Sequence, residues 1–111
     1  MQLPENVIIP DAKLTQYLLV FREQDDKSKF LQKAGFTQEN SEALKNALLQ
    51  LVKTQEAIED TQNEYGTFYR IEGKLEGETG TINVTTIWLQ RAKDSQFQFI
   101  TLKPKKEKKH D

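Results

Sequence analysis

The sequence contains no cysteine. Disulfides, thiolate nucleophiles and cysteine-ligated metals are therefore excluded, and cysteine usage points to a reducing, cytoplasmic setting. The single histidine is His110, the penultimate residue. The rest of the chain has no imidazole for a Ser-His triad or a histidine metal site, so no metal and no cofactor is expected. Acidic residues at metal-binding spacing are also lacking: Glu76 and Glu78 flank Gly77 as in a solvated turn. Gly73, Gly77 and Gly80 are spaced as hairpin punctuation, not as a phosphate loop. Apolar runs are only a few residues long, which excludes a membrane-spanning segment. The opening Met1-Gln2-Leu3-Pro4-Glu5 lacks the basic and apolar regions of a signal peptide.

What is present is charge. Charged residues make up 30% of the 111 positions and hydrophobic ones 36%. From Lys103 onward five lysines face Glu107 and Asp111, a net of +3; the remaining 102 residues hold 11 of the 16 basic and 15 of the 17 acidic side chains, a net of −4. A body of that sign makes no global case for a polyanion partner. The length suits one α+β domain over residues 1–104, followed by a flexible lysine-rich tail over 105–111.

Hydrophobic periodicity predicts helices first and a sheet after. Val7-Ile8-Ile9, closed by Pro10, reads as a short edge strand or extended lead-in. Asp11 is placed to cap a helix over Ala12 to Phe21, with Leu14, Tyr17, Leu18 and Phe21 on one face. Asp26 is placed to cap a second helix carrying Phe30, Leu31 and Ala34, ended by Gly35 and Phe36 in a Schellman pattern. A third helix, capped by Asn40 or Ser41, buries Leu44, Ala47, Leu48, Leu51 and Val52.

Near Thr54 the period changes to two. Strands are expected over Glu56 to Glu59, Thr67 to Leu75, Thr81 to Gln90 and Gln96 to Leu102, with a turn at Asn63 to Gly66. In the third strand Ile82, Val84, Thr86 and Trp88 share one face, and Asn83, Thr85, Ile87 and Leu89 the other. The whole reads as three N-terminal helices on a four-stranded antiparallel meander.

The polar residues on this scaffold that suit chemistry are Lys13, Lys29, Tyr65, Tyr69, Arg70, Thr86, Trp88, Arg91 and Thr101. Packing is the ordinary role for Tyr69 and Trp88, and solvent exposure the ordinary role for the two lysines. Taken as a site, they suit RNA cleavage through the substrate's 2′-hydroxyl. That reaction needs a base for the 2′ proton, cations for the charge on phosphate and an acid for the leaving 5′ oxygen. Lysine and tyrosine can transfer protons and arginine can hold phosphate. Lys13, Lys29, Tyr69 and Arg70 are the catalytic candidates, with Tyr65, Thr86, Trp88 and Thr101 lining the site or binding RNA.

The order Lys13-Leu14, Tyr17-Leu18-Leu19, Lys29-Phe30-Leu31, Gly35-Phe36, Tyr65-Gly66, Tyr69, Gly73, Thr86-Ile87-Trp88, Phe99-Ile100-Thr101 and Pro104 resembles a small uncharacterised bacterial family. Its members occur alone, in two-gene modules, and at the C-termini of polymorphic toxins and phage head proteins. The layout is also similar to RelE-like and colicin-like toxin ribonucleases. The resemblance implies a metal-independent toxin ribonuclease with a cognate antitoxin or another small protein partner. Where many relatives place a histidine or basic residue before Lys29, this chain has Ser28. Two further functions fit the residues. The acidic stretch from Glu56 to Glu78 suits an antitoxin, immunity protein or adaptor that meets a basic partner. Trp88 and the lysine tail suit nucleic-acid binding without cleavage.

Overall fold

A computed structural model describes residues 1–19 and 27–105. Its elements, in chain order, are α1 (Asp11–Lys13), a π turn (Leu14–Leu18), α2 (Ser28–Gln32), a 3-10 turn (Gln38–Asn40), α3 (Ser41–Thr54), β1 (Ile58–Asn63), β2 (Gly66–Glu76), β3 (Thr81–Arg91) and β4 (Phe97–Pro104). The four strands form one antiparallel sheet in the order β1-β2-β3-β4. The α+β class and the meander are as the periodicity predicts.

Three regular helices are not what precedes the sheet. In place of the first, α1 is a single turn that runs into the π turn, where the Leu19 amide bonds the Leu14 carbonyl at 3.0 Å. That wider turn brings Leu19 beneath Leu14, so that Leu14, Leu18 and Leu19 are all buried. The expected Phe21 end of this helix and the Asp26 cap lie outside the described residues, as does the tail from residue 106 onward; the Tyr17 side chain is likewise outside the description. The second helix, α2, is short and closes with the predicted motif. Gly35 has φ 90°, its amide bonds Gln32 at 2.9 Å, and the Phe36 amide bonds Leu31 at 3.1 Å.

The long helix, α3, has Asn40, one of its two expected caps, at its N-cap position, but the Asn40 side chain caps the preceding 3-10 turn instead. Thr37 and Asn40 form a reciprocal capping box, with the Thr37 amide donating to Asn40 Oδ1 at 2.7 Å. The 3-10 turn then feeds Ser41 directly into α3. Leu44, Leu48, Leu51 and Val52 are buried, and Ala47 is half-buried.

Strand alternation divides the sheet into two unlike faces. Tyr69, Ile71 and Leu75 of β2, Ile82, Val84, Thr86 and Trp88 of β3, and Phe97, Phe99 and Leu102 of β4 face the helices in one hydrophobic cluster. Within it the Trp88 indole N–H donates to Thr86 Oγ1 at 2.8 Å, and the Thr86 hydroxyl donates to the Ile71 carbonyl at 2.8 Å. Both polar groups are thereby satisfied without water, as burial requires. Gly73 leaves room for α3: a methyl there would lie 2.5 Å from Leu51 Cδ1.

The edges differ as well. Ile8 adds a parallel bridge to β4, giving and receiving 2.8 Å backbone bonds with Phe97 and Phe99. Every residue of β1 is exposed. That strand starts two residues later than its sequence suggests and runs to Asn63, because a fully exposed edge shows no alternation to read. A register shift between Ile87 and Trp88 leaves Ile100 as the extra residue of a bulge in β4.

Candidate functional site

The sheet face turned away from the helices is built from the alternate positions of each strand. Register sets its rows. One row runs Ile58, Arg70, Ile87, Thr101 across all four strands. The next holds Glu72, Thr85 and Lys103, and the one on the other side Phe68, Leu89 and Gln98. Neighbouring strands stand about 4.8 Å apart and same-face neighbours along a strand about 6–7 Å, so Arg70, Glu72, Thr85 and Thr101 occupy one continuous patch.

Two hydrogen bonds order this patch. Thr85 donates its hydroxyl to Glu72 Oε2 at 3.2 Å. Lys27, at the entry to α2, donates from Nζ to Thr101 Oγ1 at 3.0 Å. On the same face is Arg70, next to Glu72 along β2 and across Ile87 from Thr101, with its Nε buried without an acceptor among the described residues. A buried donor left unmade costs about 1–3 kcal/mol, more when charged.

The sequence-predicted residues fall on both sides of the sheet. Tyr69 and Arg70 are consecutive in β2 and so point oppositely. Tyr69 is 8% exposed, its ring 5.5 Å from that of Phe97 on the helix side. Thr86 and Trp88 are 0% exposed on that same side, where no base can stack. Arg70 and Thr101 are on the open face. Lys13 is half-buried on α1 and Lys29 is exposed on α2. Ser28, between Lys27 and Lys29, is buried. Tyr65 is 66% exposed on the β1–β2 turn. One cleft holding Lys13, Lys29 and Tyr69 together is thus not what the fold builds, because alternation aims Tyr69 into the core.

Lys27, Glu72 and Thr85 were not among the candidates that chemistry alone picked out. The signal for Thr85 and Glu72 was the same alternation: each lies one residue from an inward-facing neighbour. Lys27 carried no signal, since its tie to Thr101 spans 74 positions.

Two clefts border this face. The larger, about 800 Å³, runs between α3 and the β2 edge beyond the end of β1. It includes Gln50, Gln55, Glu72, Lys74, Asn83 and Lys105, a mixture of amides and both charges. It shares Glu72 with the open face but not Arg70, so its size does not make it the centre of the chemistry. The smaller, about 490 Å³, lies at the turn end of the sheet among Glu64, Tyr65, Leu89, Arg91, Ala92 and Lys93. Among the described residues no group of three His, Cys, Asp or Glu is placed to hold a metal ion, and no helix is long and apolar enough to cross a membrane.

Beside the smaller cleft the Arg91 guanidinium is held by four hydrogen bonds. It makes a two-pronged pair with Asp94 and further bonds to Gln98 Oε1 at 3.2 Å and Gln96 Oε1 at 3.3 Å. The hydrogen bond from Arg91 holds the Asp94 carboxyl below the ordinary carboxylate range, and the same bond raises Arg91. A depressed carboxyl contributes stability above its unfolded pKa and loses it as pH falls through the folded value. An NMR titration should therefore show the Asp94 carboxyl and the Ala92 to Ser95 amides shifting together, below the ordinary aspartate midpoint. In Arg91→Ala the midpoint should move up toward the ordinary value.

The family model described as "Domain of unknown function (DUF6883)" matches residues 2–106. No curated protein matches the sequence. Among solved structures, the contact-dependent growth inhibition toxin–immunity protein complex from Klebsiella pneumoniae 342 contains a chain with the same fold. It aligns with TM-score 0.69 at 19% identity, over 88% of this chain and 99% of that one.

Proposed function

Because the chain belongs to the DUF6883 family, whose description assigns no activity, its function has to be read from the open sheet face, and we propose that it is the toxin member of a toxin–immunity pair: a metal-independent endoribonuclease. The observation that carries this is the buried Nε of Arg70, without an acceptor among the described residues, on the same sheet face as a carboxylate held by Thr85 and a lysine held by Thr101. Phosphate is the anion that such an arginine suits, since its planar fork matches the phosphate oxygens. The shared fold with one chain of a toxin–immunity complex agrees with the role.

In this mechanism the Glu72 carboxylate takes the proton from the ribose 2′-hydroxyl. The 2′ oxygen bonds to phosphorus, and the bond to the 5′ oxygen of the next nucleotide breaks. Lys27 gives that oxygen a proton, leaving a 2′,3′-cyclic phosphate. Arg70 holds the non-bridging oxygens, whose charge grows in the transition state. Lys13 and Lys29 are the further cations enlisted along the RNA backbone, and Thr101 fixes Lys27.

Induced expression should arrest growth, and the purified protein should leave 2′,3′-cyclic ends on RNA. Arg70→Ala should lower cleavage about 10²-fold or more, the effect of deleting a transition-state charge stabiliser. Tyr69→Phe should leave the rate nearly unchanged, since that hydroxyl is on the other face. A wild-type protein that neither slows growth nor cuts RNA would overturn the proposal.

A second role is favoured by β1. Its outer edge carries Glu59 and Asp60, with Glu56 before and Glu64 after, all exposed. Such an edge suits the immunity member, which would bind a basic toxin. In that case expression would be harmless, and would protect cells from a separately supplied toxin.

A further inference from the structure

We infer that the 490 Å³ cleft at the turn end of the sheet is a nucleobase subsite, on the same sheet face as Arg70. This deepens the ribonuclease reading and rests on it. The cleft's wall is a phenol held out to solvent: among the described residues Tyr65 is one of three large exposed hydrophobic ones, at 66%. Its backbone is fixed. The Tyr65 carbonyl accepts the Ala92 amide at 2.9 Å, and the Tyr65 amide donates to Asn63 Oδ1 at 2.9 Å. Gly66 at φ 144° lets the two turns approach so closely that a methyl there would lie 1.9 Å from the Gln90 carbonyl oxygen.

The other lining groups suit a flat, weakly polar ring. Leu89 supplies an apolar floor. Four of the five N–H donors of Arg91 go to Asp94, Gln96 and Gln98, which fixes its guanidinium plane as a stacking surface. Every base has a π-face, and tyrosine and arginine planes bind bases through it. Lys93 and Glu64 at the rim are hydrogen-bonding groups for base edges.

Position ties the cleft to the open face. Leu89 pairs with Phe68, and the adjacent same-face pair is Ile87 with Arg70. The diagonal from Leu89 to Arg70 is thus about 7–8 Å between backbones. Tyr65 is five positions from Arg70, roughly 16 Å along an extended strand, so an RNA strand of about two or three nucleotides whose phosphate meets Arg70 can lay a base against Tyr65, which makes this cleft the place where base preference is set.

The test uses 5′-AMP, GMP, CMP and UMP, with ribose 5-phosphate as the base-free probe, followed by NMR. Nucleotides should shift the Tyr65 ring signals and the Leu89 and Ala92 amides saturably. Ribose 5-phosphate should leave these unmoved while shifting signals near Arg70. Tyr65→Ala should weaken nucleotide binding about 10-fold or more, and Tyr65→Trp should preserve it. In cleavage assays Tyr65→Ala should raise KM and flatten base preference more than it lowers kcat. Equal shifts from ribose 5-phosphate, no shifts at all, or base preference unchanged in Tyr65→Ala would each overturn the subsite. Base binding at Tyr65 by a protein that cuts no RNA would support the subsite while refuting the ribonuclease. Cleavage with unchanged preference would do the reverse.

Discussion

Replacing Trp88 with alanine should lower stability by about 3–5 kcal/mol, the range for deleting a large buried aromatic. That is a large share of the roughly 5–15 kcal/mol available to a domain. Trp88 is at the middle of β3, 0% exposed, with Tyr69 opposite on β2 and Phe99 opposite on β4. Its ring meets Phe99 edge-on, with centroids 5.3 Å apart and planes at 66°. Deletion therefore opens a cavity against both neighbouring strands. It also leaves Thr86 bonded only as a donor, to Ile71. Chemical denaturation followed by circular dichroism gives the midpoint. An unchanged midpoint in Trp88→Ala would mean that the indole is not packed as described. Any activity lost in this variant should track unfolded protein, with the folded fraction retaining wild-type kcat. The third sequence-based function, which needs Trp88 as a stacking platform, predicts lost RNA affinity without lost stability.

Gly77→Ala should cost about 2–4 kcal/mol: overpacking contributes ~1–3 and a weakened hydrogen bond ~0.5–1.5. The added methyl would lie 1.9 Å from the Ala34 carbonyl oxygen and 2.9 Å from its carbon. These are backbone atoms that cannot swing aside. The Ala34 carbonyl also accepts the Thr79 amide at 3.2 Å, and the Thr79 hydroxyl bonds Lys33 at 3.2 Å. The β2–β3 loop thus docks on the C-terminal end of α2, the element that follows Lys27. Gly80→Ala is the control, since its methyl would approach nothing closer than the Lys33 carbonyl oxygen at 3.2 Å. If both substitutions proved equally mild in thermal denaturation, the loop would not be docked as described. Under the proposed ribonuclease role, Gly77→Ala should also lower RNA cleavage, by releasing α2 and with it the lysine that Thr101 holds.

Much of this fold was legible because burial leaves a period. The β3 alternation gave both faces, and Gly35 with Phe36 gave the end of α2. What failed to show were features with no burial behind them. β1 is exposed throughout, so its bounds drifted. Asn40 is at the N-cap of α3 as expected, but its side chain pairs with Thr37 because a 3-10 turn precedes the helix, and the sequence does not display that turn. The candidate site was half legible. Residue types suggested Arg70 and Thr101 together with Tyr69, Thr86 and Trp88, but the period of two separates these groups across the sheet. Chemistry chose by side chain, where the pleat sorts by parity.

The bridge between Ile8 and β4 also sets an order of events during synthesis. Ile8 exchanges its backbone bonds with Phe97 and Phe99, residues made almost ninety positions later. At roughly 5–20 residues per second, Val7, Ile8 and Ile9 wait on the order of 4–18 s on the ribosome before their partner strand exists. The β1–β2–β3 hairpins close locally within that interval, but the first β-branched run of the chain has nowhere to pair. It is made well before its partner strand, and until the two meet, the β4 edge and the run itself are both open to other strands.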